Sequence, residues 1–238
     1  MRNTLLCVVP TYLALACAAM AGPTICPNGS FTQYLVANFT CLSPAGDLLF
    51  ENFGYAPSAF PSGNTISSDD VTVTVLSGSG TEGLQFGANW SVSSQAGVSN
   101  FQDSLLTFSV VGTITGLDLS FDGQFTGTGL TNVAENYCLN TINSTGAFPC
   151  SPGNNGQISV TNPPAVFNST TGTFSGPVTS ISISKDINVT SGINGTASIS
   201  QVINNFEVPT SIPEPLSFVL LGSGLVCLGL LRKRVSKR

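Results

Sequence analysis

The chain contains no histidine, and that absence restricts what its other polar residues can do. Ser-His-Asp and Cys-His catalysis are excluded, as are histidine-ligated metal sites. Carboxylate chemistry, a Ser-Lys pair and oxygen ligation of a hard cation remain. Asp118, Ser120 and Asp122 alternate along one segment, so in a strand they share a face and offer oxygen ligands to a calcium ion. Asp122-Gly123 also reads as a turn and EF-hand spacing is missing, so a solvated polar face accounts for the same residues. Asp69 and Asp70 are adjacent, would point to opposite faces of a strand, and read as turn residues ahead of Val71. Lys185 beside Asp186 is the most singular ionisable position, and a cross-strand pair with a carboxylate such as Glu135 is the expected role. A catalytic Ser184-Lys185 pair would place its members on opposite strand faces. A glycan-active enzyme would need two of Glu51, Glu82, Asp118 and Glu135 held about 5 to 9.5 Å apart. Tyr55, Phe86 and Trp90 could form a platform for sugar rings, although core packing has the stronger claim in a chain with fifteen phenylalanines. No catalytic constellation emerges, and the chain is expected to be neither an enzyme nor dependent on a cofactor.

Sulfur chemistry points to compartment. Of the seven cysteines, Cys7 and Cys17 fall in the N-terminal apolar stretch and Cys227 in the C-terminal one. Cys26, Cys41, Cys138 and Cys150 are left, an even number that suggests disulfides in an exported domain. Four cysteines allow three connectivities. Cys26 with Cys41 and Cys138 with Cys150 is the preferred one, because each pair flanks a short polar segment containing Gly or Pro. Zinc is disfavoured, since there is no CxxC pair.

Charge is distributed unevenly. Lys185 is the only basic residue between Gly22 and Ser211, against eleven acidic ones, a net of −10 over that span. Such a surface repels phosphate backbones, so nucleic acid is not an expected partner. The other basic residues are Arg2 and a terminal cluster of Arg232, Lys233, Arg234, Lys237 and Arg238.

The elements that must position these groups read as strands. Val71-Thr72-Val73-Thr74-Val75 alternates valine with threonine; Leu117, Leu119 and Phe121 alternate with polar residues; Ile181, Ile183, Ile187 and Val189 alternate around Ser182, Ser184 and Asp186. Each pattern buries one face and wets the other. Further strands are expected at 31–36, 48–53, 105–111, 125–135 and 195–206, with a hairpin turn at Gly192-Ile193-Asn194-Gly195 because Asn-Gly tolerates positive φ. The longest irregular loop is expected near 149–164. No repeat of fixed period is present. The fold class is therefore all-β, a single antiparallel β-sandwich of jelly-roll type with eight to twelve strands.

The two ends read as addresses. Arg2, an apolar run from Leu5 to Ala19 and Ala19-Met20-Ala21 form a secretory signal peptide, 1–21, with cleavage after Ala21. Ala14-Leu15-Ala16-Cys17 is a loose lipobox lacking the usual leucine. The ectodomain is 22–207 and 208–211 a linker. At the other end, 212–238 holds Ile212-Pro213-Glu214-Pro215, an uncharged apolar run over 216–231 and the basic tail 232–238. The run is short for a transmembrane helix, and the cationic end is expected to stay in the cytoplasm. Seven Asn-x-Ser/Thr sequons lie between Asn28 and Asn194, which matter only in a eukaryotic setting.

These three C-terminal parts, in this order, resemble the PEP-CTERM sorting signal of exopolysaccharide-producing Gram-negative bacteria. The resemblance covers 212–238. It implies that Pro213, Glu214 and Pro215 are recognised by exosortase, a membrane-embedded cysteine transpeptidase, as a transient partner. It further implies an intermediate anchored in the inner membrane, then release or transfer to the cell surface or extracellular matrix. Ile212 stands where the family commonly has valine. The two prolines fix φ and remove donors, keeping the site extended for a protease. Within the ectodomain, "NFGYAPSA", "GLQFGANWSV", "VAENYCLN" and "SISKDI" resemble segments of uncharacterised exported domains carrying the same tail, which supplies no activity. The expected function is a surface or matrix protein associated with extracellular polysaccharide. The alternative is a carbohydrate-binding or calcium-assisted adhesion module, with a carboxylate-based glycan-active enzyme behind it.

Overall fold

The structure, a computed structural model, describes residues 22–61, 64–142, 150, 153–162 and 169–209. The signal peptide with Ala21, the Pro213-Glu214-Pro215 motif, the 216–231 run and the basic tail lie outside the described residues. So do Cys7, Cys17 and Cys227.

Strand follows strand along the described chain: β1 (Thr24–Ile25), β2 (Gly29–Ser30), β3 (Thr40–Leu42), β4 (Leu49–Phe60), β5 (Thr72–Gly78), β6 (Thr81–Ser93), β7 (Phe101–Gly127), β8 (Leu130–Leu139), β9 (Asn155–Asn162), β10 (Ser169–Thr190) and β11 (Gly195–Glu207). All eleven belong to one hydrogen-bonded sheet. Pairing is antiparallel except for β1 beside β3, which is parallel, so the sheet is mixed.

Two long strands curl it. The first half of β7, Phe101 to Val111, lies between β4 and β10, whereas its second half, Gly116 to Gly127, lies along β11. β10 also changes neighbours, with register breaks between Thr173 and Ser180. The sheet thus folds back on itself and encloses the apolar rows. Leu106, Phe108 and Val110 of β7, Ile181, Ile183 and Ile187 of β10, and Val202 and Phe206 of β11 are all buried in one cluster.

Several sequence expectations are corrected. The segment expected as a strand at 31–36 is a 3-10 helix, Phe31–Leu35, whose start is capped by Ser30 Oγ accepting from the Thr32 amide. The separate strands expected at 105–111 and around Leu117 to Phe121 are one strand of 27 residues. Gly112 sits within it where a Cβ would collide with the Asp47 carbonyl. The run 125–135 is divided between β7 and β8, and part of the expected loop near 149–164 is β9. Gly192 to Gly195 does turn, with φ of 59° at Gly192, but not as a hairpin: β10 and β11 each pair with β7 rather than with each other. The polar side of β10 is not wetted at its centre. Ser182 and Ser184 are buried, with Ser182 Oγ donating to the Thr141 carbonyl beyond β8.

Candidate functional site

Polar chemistry concentrates at two levels of the same strands, one inside the sheet and one on its outer face. Inside, Lys185 of β10 is in register with Glu135 of β8. Both side chains are 0% exposed and form an ion pair. This is the cross-strand partner expected for Lys185. Sequence reasoning missed the third member, Asn204 of β11, whose Nδ2 donates to Glu135 Oε1 at 3.3 Å. Burial lowers the Lys185 pKa, and the adjacent Glu135 opposes that shift.

On the outer face, register places Asp103 of β7 opposite Asn188 and Asp186 opposite Leu105, so the two aspartates are diagonal neighbours. Asp103 Oδ2 accepts from Ser58 Oγ at 3.3 Å. The Asp186 pKa is pushed up to about 7 by burial, by its hydrogen bond with Asp103 and by that group's charge. Near neutral pH Asp186 is therefore about half protonated. Leu105 is exposed on the same face, and Phe60 and Phe101 stack at 6.5 Å beside it, 51% and 37% exposed. This mixture of aromatic surface, carboxylates and small polar side chains can hydrogen-bond and stack on a hydroxyl-rich ligand. Sequence reasoning did not pair Asp103 with Asp186: Asp103 precedes the strand expected at 105–111, and Asp186 figures there only beside Lys185, on the polar side of its alternating run.

The other candidates are placed apart. Asp118 and Asp122 share a face of β7 as expected, but the Asp122 carboxylate accepts from Ser200 Oγ at 3.3 Å. Among the described residues no three Asp, Glu or Cys side chains converge as a metal site would require. Trp90 and Phe86 are fully buried, and Trp90 Nε1 donates to Ser104 Oγ at 3.0 Å. Tyr55 shares that Ser104 hydroxyl and bonds the Ile66 carbonyl. These rings are core and present no platform to a sugar. Of the four carboxylates considered for glycan chemistry, Glu135 is committed to Lys185, and Glu82, at the start of β6, accepts from the Ala45 amide at 2.9 Å. Glu82 lines a notch of about 220 Å³ with Asp47 and Val208, near the point where the chain leaves the sheet.

The preferred cysteine connectivity is present. Cys26 is bonded to Cys41 and Cys138 to Cys150, with Cα separations of 4.7 and 5.5 Å. The first ties β3 to the segment after β1, and the second ties the end of β8 to the chain before β9. Disulfides of this kind belong to an oxidising, extracytoplasmic environment.

No protein-family model matches the chain, and no characterised protein matches its sequence. Among solved structures, TmCBM61 in complex with beta-1,4-galactotriose matches over 64% of this chain and 86% of that one, at 10% identity and a TM-score of 0.21. The enzymatically active domain of tailspike protein 4 of bacteriophage CBA120 matches over 65% of this chain, at 15% identity and a TM-score of 0.22, and the match spans 19% of that structure. At these TM-scores neither likeness carries fold or function over to this chain.

Proposed function

We propose that this is an exported, non-catalytic surface or matrix protein, a jelly-roll-like sandwich delivered by its N-terminal signal and sorted through its C-terminal tail. The observation that carries the reading is the pair of local disulfides. All four cysteines between Gly22 and Ser211 are consumed by them, which suits a domain that works outside a reducing cytoplasm. The resemblance of 212–238 to an exosortase substrate supports the route: membrane arrest at 216–231, cleavage at Pro213-Glu214-Pro215, and retention among extracellular polysaccharides. Cell fractionation tests this. The protein is expected in the surface or medium fraction with its four domain thiols blocked; a cytoplasmic, fully reduced protein contradicts it.

A second reading is favoured by the outer face of β4, β7 and β10, where exposed Phe60, Phe101 and Leu105 adjoin the Asp103 and Asp186 pair. This face suits a polysaccharide: ring stacking on the phenylalanines and hydroxyl bonding to the carboxylates. Affinity electrophoresis of the full chain through gels containing acidic or neutral polysaccharides measures it. Retardation that is lost in Phe60→Ala/Phe101→Ala, with an unchanged melting curve, supports it. Equal mobility of wild type and variant in every gel counts against it.

A further inference from the structure

Three polar side chains interrupt three apolar rows at one level of the core. On β10 the inward row is Ile181, Ile183, Lys185, Ile187 and Val189; on β8 it is Val133, Glu135 and Tyr137; on β11 it is Val202, Asn204 and Phe206. All three polar members are 0% exposed. Lys185 pairs in register with Leu106 on its other side, and Asn204 lies between Leu84 and Leu119. Glu135 bridges them, one oxygen on Lys185 Nζ and the other on Asn204 Nδ2. Asn204 Oδ1 is buried without a hydrogen-bond partner. As a non-covalent set this is a costly thing to bury, since charge is desolvated and a carbonyl is left unmatched.

We propose that Lys185 and Asn204 become joined by an intramolecular isopeptide bond, with Glu135 as the acid-base group. Low dielectric favours transfer of a proton from the lysine ammonium to Glu135, leaving a neutral amine beside a neutral acid. The lowered Lys185 pKa agrees with this. Nζ then attacks Asn204 Cγ. The Nζ–Cγ bond forms and the Cγ–Nδ2 bond breaks. The proton shed by Nζ reaches Nδ2 through Glu135, whose two oxygens touch the two nitrogens, and ammonia leaves. Glu135 ends protonated, and nothing is oxidised or reduced. The core is left with a neutral amide beside a neutral acid in place of a buried ion pair. Proximity enforced by folding supplies the rate, and the product ties β10 to β11, which are consecutive but share no ladder.

The sequence provides an unusually clear test. Lys185 is the only basic residue between Arg2 and Arg232, so trypsin cuts the unmodified domain once, after Lys185, and cannot recognise that residue once its amine is an amide. The full chain, denatured, reduced and alkylated, is expected to resist trypsin at Lys185 and to weigh one ammonia less than its sequence. Cleavage on the N-terminal side of Asp186 should leave the Lys185 and Asn204 peptides joined. Glu135→Gln and Asn204→Ala should each restore the full mass and the tryptic cut. Should either variant fail to fold, the wild-type digest still decides. Full mass with cleavage at Lys185 overturns the proposal. So does loss of water with the bond on Glu135, and so does loss of ammonia in a chain still cut at Lys185, which marks a succinimide elsewhere.

Discussion

At the scale of single residues, the core and the outer face treat charge in opposite ways. Lys185 and Glu135 are fully enclosed, so Lys185→Met both leaves Glu135 without that partner in a low dielectric and prevents the proposed Lys185–Asn204 bond. It should lower the unfolding free energy by at least about 3–5 kcal/mol, measured by urea titration of the full chain. Asp186 is only half enclosed, and its effect runs with pH. Its folded pKa, raised to about 7 from an ordinary value of 3.8, means that the folded state holds a proton the unfolded chain has released. The contribution is therefore fully favourable below pH 4 and is lost as pH rises toward 7. Asp186→Asn should flatten that slope and raise stability at pH 8, by about 1 kcal/mol after allowing for solvent screening; melting curves at pH 4 and pH 8 check this. The ion pair was legible in the sequence because Lys185 had no competitor for a carboxylate. Asn204 was not, since nothing in the run Val202 to Phe206 says which strand it faces. The Asp103 and Asp186 pair needed a register that only the folded β7 and β10 define.

Elements were legible wherever alternation was strict. Val73, Leu117, Leu119, Ile181 and Ile183 are buried as their patterns require, and the all-β class follows from them. Boundaries failed where glycine carried a strand onward. The strands expected at 105–111 and around Leu117 to Phe121 are joined through Gly112, where a Cβ would meet the Asp47 carbonyl, and Gly116, where it would meet the Glu207 carboxylate. Phe31 to Leu35 failed for another reason: an aromatic run with strand propensity is held as a 3-10 helix by the Ser30 cap and by the Phe31 ring packed edge-to-face against Phe53, Tyr55 and Phe86. The disulfides act at this scale. Cys26 and Cys41 close a loop of separation 15 across the short edge strand β1 and its short neighbour β3, which have few backbone bonds of their own. Cys26→Ser/Cys41→Ser should cost about 3 kcal/mol, and proteolysis should begin in the first forty residues of the domain, read by N-terminal sequencing of the fragments.

The whole molecule pairs an acidic, disulfide-closed sheet with two terminal segments of opposite character. Eleven acidic residues against one lysine between Gly22 and Ser211 keep such a domain soluble and away from anionic polymers that lack a bridging cation. On the proposed sorting route, the basic cluster from Arg232 to Arg238 is the part that would meet an anionic cytoplasmic leaflet before cleavage. The role proposed is one of persistence outside the cell, to which a Lys185–Asn204 bond would add covalent strength. The most direct test is the intact mass of the native protein recovered from the surface and medium of the producing cells. The account predicts a chain that starts at Gly22, lacks residues 216–238 and carries two disulfides. A mass that retains Met1 and Arg238 with all cysteines reduced would contradict it.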